Sequence, residues 1–295
     1  MDRDFLLAHL SDPHLPPPAG AGGREISKRL LARLSWRWRR RALHRPEALA
    51  AVLEDMAAAR PDHVAVTGDL TNFGAPEEFA AGADWLAGLG PAGAVSFVPG
   101  NHDALVAGAW EAGRARLAPF CAGDNGGTAM PWLRRRGPLA LIGLSSAVPA
   151  PPGLASGRVD APQAEAAASL LRAARRDGAF RAVLIHHPPA GSAPWRKALR
   201  APGPLLAALA REGAELILHG HLHRAAMAAV PGPVHPIPAL GAPSASMRPG
   251  ARDAAAAWRA LRVTRRAGGW RVALVERGLD AALRPRDVAR ASFDL

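Results

Sequence analysis

Five short apolar runs in this chain each end, within a few residues, on side chains that can bind a cation. Phe5 to Leu10 runs into Ser11-Asp12-Pro13-His14, Val64 to Val66 into Thr67-Gly68-Asp69, and Ala94 to Val98 into Pro99-Gly100-Asn101-His102-Asp103. Ala182 to Ile185 is followed by His186-His187-Pro188-Pro189, and Leu216 to Leu218 by His219-Gly220-His221-Leu222-His223. Short apolar runs bounded by Gly and Pro read as buried strands, and open α/β folds place their chemistry at the C-terminal edge of such strands. Any one of these ends is an ordinary turn. Five in succession are harder to attribute to turns, because oxygen and nitrogen ligands gathered in one place are tolerated when cations hold them together.

The stretch Val64 to Thr71 is the centre of the pattern. Gly68 lets the backbone turn sharply and come close to a ligand, and it presents the Asp69 carboxylate at the sheet edge. Asp12 and His14 are two residues apart, so at a strand end they can point to one side and chelate a single ion. His221 and His223 repeat that spacing after Gly220.

Between these points the expected elements alternate. Pro46 starts a helix over Glu47 to Ala59, and another spans Pro76 to Leu89. Asp160 caps a helix from Ala161 to about Arg175, and Pro204 to Arg211 forms a further one. Leu139 to Leu144 reads as a strand. Residues 104 to 137 are mixed and Gly-rich, with Arg134, Arg135 and Arg136 read as a solvated basic run, and Pro231 to Pro243 reads as irregular. Trp258 to Thr264 and Trp270 to Val275, joined through Gly268-Gly269, read as a β-hairpin. The expectation is one domain over 1–295, with a basic insertion at 16–45 and a C-terminal hairpin region at 255–280.

Charge is concentrated in that insertion. The net charge is +12, and 35 of the 37 basic residues are Arg. Between Arg24 and Arg45 stand nine basic residues and one acid, so +8 of the +12 lies there. A helix is expected from Ile26 to about Leu43, with Ile26, Leu30, Leu31, Leu34 and Trp38 on one face and Lys28, Arg29, Arg33, Arg39 and Arg40 mostly on the other. Trp36 breaks the pattern. Two readings stand: a solvated cationic helix packed on the domain by its apolar stripe, or a basic amphipathic element that touches anionic lipid or covers an acidic substrate. Cys121 is the only cysteine, which excludes a disulfide framework and a thiolate metal site. Apolar runs stop well short of a membrane span, and the first residues lack the features of a secretory signal. A cytoplasmic setting is expected, peripheral to the inner membrane if the basic segment 24–45 contacts an anionic membrane surface.

In its five motifs the sequence resembles the calcineurin-like metallophosphoesterase superfamily, whose signature is Asp-x-His, Gly-Asp, Gly-Asn-His-Asp or Glu, a lone His, and Gly-His-x-His. The resemblance covers roughly residues 5 to 246 and misses no metal-binding position. It implies an α/β (α+β) fold, a four-layer αββα sandwich of two mixed β-sheets flanked by helices, with a dinuclear centre at one edge. Carried over position by position, Asp12, His14 and His223 would hold one ion, Asn101, His186 and His221 the other, and Asp69 would bridge them. The family pattern puts the lone His two residues before a Pro, which selects His186 over His187. His102 would stabilise developing charge or protonate the leaving group, and Asp103 would orient that imidazole and favour its protonated form. His9, His44, His63 and His235 match no motif, and His219 reads as a core histidine.

The function implied is a phosphohydrolase, nearest to the bacterial branch called class III cyclic-nucleotide phosphodiesterases. Two divalent ions, Mn, Fe or Zn by the mixed ligand set, would hold a bridging hydroxide for in-line attack on phosphorus. A membrane-surface pyrophosphohydrolase of a nucleotide-lipid keeps the chemistry and changes the substrate. A nuclease is disfavoured because the charge is confined to one segment, and a scaffold without metals because every ligand type is present.

Overall fold

A computed structural model describes residues 4–21 and 28–295. In chain order its strands are β1 (Phe5–Leu10), β2 (His63–Val66), β3 (Val95–Phe97), β4 (Trp132–Arg136), β5 (Leu139–Gly143), β6 (Gly157–Arg158) and β7 (Phe180–Leu184). They continue as β8 (Leu199–Arg200), β9 (Leu216–His219), β10 (Ala226–Val230), β11 (Ile237–Gly241), β12 (Ala257–Arg266), β13 (Gly269–Leu279) and β14 (Pro285–Asp294). One six-stranded sheet has the order β14-β13-β12-β1-β2-β3 and a second β10-β11-β9-β7-β5-β4, with β6 and β8 paired apart. β1, β2 and β3 run parallel, as do β5, β7 and β9.

Period-two alternation turns these strands into layers. Leu7, Leu139, Leu141, Ala182, Leu184, Leu216 and Leu218 point between the sheets and form a buried core there. Their neighbours Ala8 and Leu10 face outward on the first sheet, and Ala140, Ile142, Val183, Ile185 and Ile217 face outward on the second. Helices cover both outer faces. The helices are α1 (Lys28–Ser35), α2 (Arg41–Leu43), α3 (Pro46–Ala58), α4 (Pro76–Leu89), α5 (Ala109–Cys121), α6 (Ala161–Arg176) and α7 (Gly203–Glu212). Leu49 and Val52 of α3, Phe79 and Leu86 of α4, and Leu117 of α5 pack on the first sheet, while Leu171 of α6 and Leu205 and Leu209 of α7 pack on the second. The four-layer αββα sandwich expected from the motifs is the fold observed.

Local chemistry sets the helix starts near the strand ends. Pro46 and Pro76 occupy first-turn positions, where a missing N–H leaves no bond unmade. The Glu78 carboxylate reaches back to accept from the N–H groups of Asn72 (2.7 Å), Phe73 (2.9 Å) and Ala75 (3.0 Å), which closes the loop that follows Asp69. Asp160 accepts from the Gln163 N–H at 2.8 Å, the cap expected of it.

Several expectations are corrected. Residues 104–137 contain α5 and β4, whose pattern the glycines obscured. The stretch read as irregular carries β11, in which Pro238 lies beyond the residues paired with β9, so its missing N–H leaves that ladder intact. The C-terminal hairpin is longer than expected, adds β14 as an exposed third strand, and joins the first sheet through β12 and β1. Arg134 is not solvated. Its guanidinium is buried and donates to the carbonyls of Ala122 (2.6 Å), Pro119 (2.6 Å), Val95 (2.6 Å) and Ala92 (3.1 Å), tying α5 to β3.

The basic insertion differs most. Its described part runs as α1, a π-helical turn over Trp36–Arg40, and α2; Ile26 lies outside the described residues. The wider turn shifts the side-chain phase. Trp36 therefore turns inward against Phe73 and Leu105, while Leu31, Leu34 and Trp38 stay 53%, 37% and 78% exposed. The apolar stripe faces away from the domain, and cations face it: Lys28 donates to the Ala150 carbonyl (2.7 Å) and Arg29 to the Gly74 carbonyl (2.8 Å).

The two neighbouring arginines of β4 give a direct test of this packing. Arg134→Ala strands four carbonyls and is expected to lower unfolding free energy by about 2–4 kcal/mol, measured by urea denaturation. Arg135→Ala, which removes only the exposed pair with Asp177, is expected to change it by less than about 1 kcal/mol.

Candidate metal centre

The strand ends meet at the edge where the two sheets adjoin, and the backbone there is held in an unusual state. Five of the eight non-glycine residues with positive φ among the described residues are Asp12 (51°), His14 (42°), Asp69 (56°), His221 (72°) and His223 (51°). Left-handed conformations of this kind are disfavoured and persist where surrounding structure enforces them, which is characteristic of functional sites. Close approach of the loops is the enforcing contact. A Cβ on Gly68 would stand 2.6 Å from Nδ1 of His186 and 2.7 Å from the Gly100 nitrogen, and one on Gly220 would collide with Ser11 and Asp12.

Three overlapping groups of donor atoms result, each with all its members within 4.8 Å of one another; His14, His44 and His223 form one, and the other two contain carboxylates. Of these two, the first comprises Asp12, His14, Asp69 and His223, the second Asp69, His186 and His221. Asp69 is common to both. Its Oδ2 lies 3.7 Å from Nε2 of His14 and 3.5 Å from Nε2 of His186. Nε2 of His223 is 3.2 Å from Oδ1 of Asp12 and 3.3 Å from Nε2 of His14. Oδ1 of Asn101 sits 3.2 Å from Nε2 of His186. All seven residues singled out in the sequence are thus gathered, buried or nearly so, at one edge.

Backbone carbonyls aim the rings. Nδ1–H of His186 donates to the Thr67 carbonyl at 2.7 Å, leaving Nε2 to face the cluster. Nε2–H of His221 donates to the Lys197 carbonyl at 3.0 Å, leaving Nδ1. Such partners fix tautomer and ring orientation at metal sites. Asp12 uses Oδ2 to accept from Ser11 Oγ (2.7 Å) and the His221 N–H (2.9 Å), whereas its buried Oδ1 has no hydrogen-bond partner among the described residues. A buried carboxylate oxygen with no hydrogen bond, 3.2 Å from an imidazole nitrogen of His223, fits a bound cation. His187 turns away, with its two ring nitrogens bonded to Ser146 Oγ (2.8 Å) and the Ala155 carbonyl (3.1 Å).

The electrostatics agree with that fit. Burial alone would raise Asp69, yet His186 and His102 beside it hold its carboxyl well below the usual range. Burial likewise opposes charge on His186, but the Asp69 carboxylate overcomes it and lifts the imidazole to about 9. The two carboxylates draw positive charge to themselves.

The expectation for Asp103 is corrected. Its carboxylate accepts from the N–H groups of Gly100 (2.8 Å), Asp69 (2.9 Å) and Thr71 (2.9 Å) and from Thr71 Oγ (3.0 Å), so it staples the Gly-Asp turn to the Gly-Asn turn. It does not orient His102. That ring is aimed by the Asn72 carbonyl, which accepts from Nδ1–H at 2.9 Å and leaves Nε2 toward the cleft. Nor is the protonated form favoured: burial, reinforced by the Arg40 cation, pushes His102 down to about 4.

Residues with no motif also reach the site. His44 lies with its ring 4.4 Å from that of His14 and 5.5 Å from that of His223, anchored by a 2.9 Å hydrogen bond to Ser246 Oγ. Ser244 Oγ donates to the Asp12 carbonyl at 2.7 Å. Arg40 places Nη2 2.9 Å from Nε2 of His14 and Nη1 2.5 Å from Nε2 of His102. Nothing local marks His44, and the helical wheel put Arg40 on the solvent face.

Among solved structures, a purple acid phosphatase from yellow lupin (Lupinus luteus) superposes with a TM-score of 0.62 at 11% identity, covering 100% of this chain and 54% of that one. This chain therefore spans about half of the lupin protein. A dimetal phosphatase from Danio rerio superposes at 0.56 with 13% identity over 97% of this chain and 99% of that one. The GAP50 anchor of the Plasmodium inner membrane complex gives 0.52 with 12% identity over 99% and 89%. At such identities these likenesses speak to the fold alone. Among curated proteins none matches the chain in sequence. Residues 5–225 match the profile of the calcineurin-like phosphoesterases, a dinuclear-metal-dependent family, so the chain belongs to the calcineurin-like phosphoesterase family.

Proposed function

We propose that this protein is a dinuclear-metal-dependent phosphodiesterase acting as one domain. The observation that carries the reading is the shared carboxylate of Asp69 between two donor groups, with the Oδ1 of Asp12, which accepts no hydrogen bond among the described residues, beside it. Asp12, His14 and His223 would hold one divalent ion, Asn101, His186 and His221 the other, and Asp69 both. Bound there, Mn, Fe or Zn supplies neutralisation of phosphoryl oxygens and a water acidified enough to attack near neutral pH.

The chain's own groups do the rest. His102 offers Nε2 to the cleft while Nδ1–H is committed to Asn72, so Nε2 is the atom that could carry a proton to a departing oxygen, once an anionic phosphoryl group beside it offsets the burial and the Arg40 cation that disfavour the imidazolium. Asp103 keeps the backbone of Asp69 and Gly100 in register and acts through them as a positioning residue.

A second reading is favoured by the exposed stripe. Leu31, Leu34 and Trp38 stand out from a segment whose Arg37, Arg39 and Arg41 are also exposed, which suits adsorption to an anionic membrane and a lipid-linked pyrophosphate substrate. Each cation near such a surface adds ~1 kcal/mol. No helix among the described residues is long and apolar enough to cross a membrane.

Manganese-loaded protein is expected to hydrolyse bis(p-nitrophenyl) phosphate, and Asp69→Asn to fall to background. Inactivity with Mn, Fe, Zn and Co alike would overturn the assignment. His102→Ala is expected to slow cleavage of an alkyl diester by roughly 10²- to 10⁴-fold, and of the p-nitrophenyl diester far less, because that anion departs without a proton. Equal losses on both substrates would remove the proton-transfer role. For the second reading, the full chain is expected to co-sediment with phosphatidylglycerol vesicles and not with phosphatidylcholine vesicles, and a Leu31→Ser, Trp38→Ser double variant to lose that recovery.

A further inference from the structure

The guanidinium of Arg40 feels the Asp69 and Asp12 carboxylates but pairs with neither. An arginine fork has five donors and is matched by paired oxygens of a carboxylate or phosphate. Here Nη1 and Nη2 meet imidazole nitrogens, on His102 at 2.5 Å and on His14 at 2.9 and 3.0 Å, and among the described residues no carboxylate lies within ion-pair distance of it. Its delivery is nevertheless built. Trp36, one turn earlier, is buried and stacked on His44 with ring planes 11° apart. The Arg45 N–H donates to the Ser246 carbonyl at 2.8 Å, and Lys28 and Arg29 hold the far end of the segment. The result is a cavity of about 250 Å³ whose lining includes Asp69, Asn101, His102, His223, Arg40 and His44.

Both nitrogens that Arg40 covers are needed by the reaction. Nε2 of His14 belongs to the first donor group, and Nε2 of His102 faces the leaving oxygen. Once these atoms are engaged, the fork loses both acceptors while remaining tethered over the same cavity. Cations in the donor groups would repel it unless an anion lay between. Besides the Asp253 carboxylate, which also lines the cavity, the oxygens able to serve there are those of the phosphoryl group.

We propose that Arg40 is a substrate-binding residue whose guanidinium grips non-bridging oxygens of the phosphoryl group, delivered by the 28–43 segment that closes over the cluster. The inference rests on reading the cluster as a phosphohydrolase centre, and it gives the basic insertion a role in that chemistry which does not depend on a membrane. A lysine at position 40 would supply charge without the fork.

The test uses the full-length, manganese-loaded protein, with metal content measured in each variant and inorganic phosphate titrated calorimetrically. Arg40→Ala is expected to keep its metal content and to weaken phosphate binding by roughly ten- to a hundredfold, the range for hydrogen bonds to a charged partner. Arg40→Lys, which keeps charge and most of the stem, should recover part of that loss. Arg37→Ala, an exposed cation on the same turn, should change it by less than about threefold. The KM for a diester should rise in parallel with the phosphate dissociation constant. A metal-replete Arg40→Ala protein that binds phosphate within about threefold of the parent removes this inference alone. A parent protein that takes up no metal removes the phosphohydrolase reading and this inference with it.

Discussion

A buried carboxylate has to be compensated, and the compensation of Asp69 organises the active edge of this protein. One oxygen accepts the His102 N–H at 2.8 Å, and the other stands between His14 and His186. With Asp12 adjacent and equally buried, two negative groups share a region from which water is largely excluded. Such a pair persists when positive charge is supplied. Within the protein the compensation comes from His186, whose imidazole the Asp69 carboxylate lifts to about 9, and from the guanidinium that leans over the cluster. Every other feature of the edge holds donors at the right distance from this one residue.

Backbone geometry serves the same end. Parallel strands from two different sheets bring their C-terminal ends together, but side chains at strand ends diverge by alternation unless the chain turns at once. The left-handed residues make that turn, and glycines 68, 100 and 220 let adjacent loops come within contact distance. Asp103 and Glu78, whose carboxylates gather several N–H groups each, hold the loops against relaxation. Strain at the site is therefore borne by hydrogen-bonded staples in the layer beneath it.

The insertion inverts the usual arrangement of an amphipathic helix. Lys28, Arg29 and Arg40 point toward carbonyls and into the cleft, while Leu31, Leu34 and Trp38 face outward together with Arg37, Arg39 and Arg41. The inward residues give the cavity a charge, and the outward leucines and Trp38 offer an apolar surface next to its mouth.

The amino-acid sequence by itself determined the layers and marked the side chains that the fold gathers at one edge. Each of Asp12, His14, Asp69, Asn101, His186, His221 and His223 is marked by a local event, an apolar run broken by a turn, and the period-two pattern of β5 and β7 is readable because alternate side chains enter different cores. What only the tertiary structure decided concerns groups whose partners are distant in the chain. Asp103 is next to His102 yet bonds residues more than thirty positions away, Arg134 is buried by carbonyls from α5 and β3, and Arg40 and His44 enter the site because a π turn shifts their phase. Periodicity reports which face of an element is apolar. It carries no record of which face the fold will cover, since that is set by the elements packed against it.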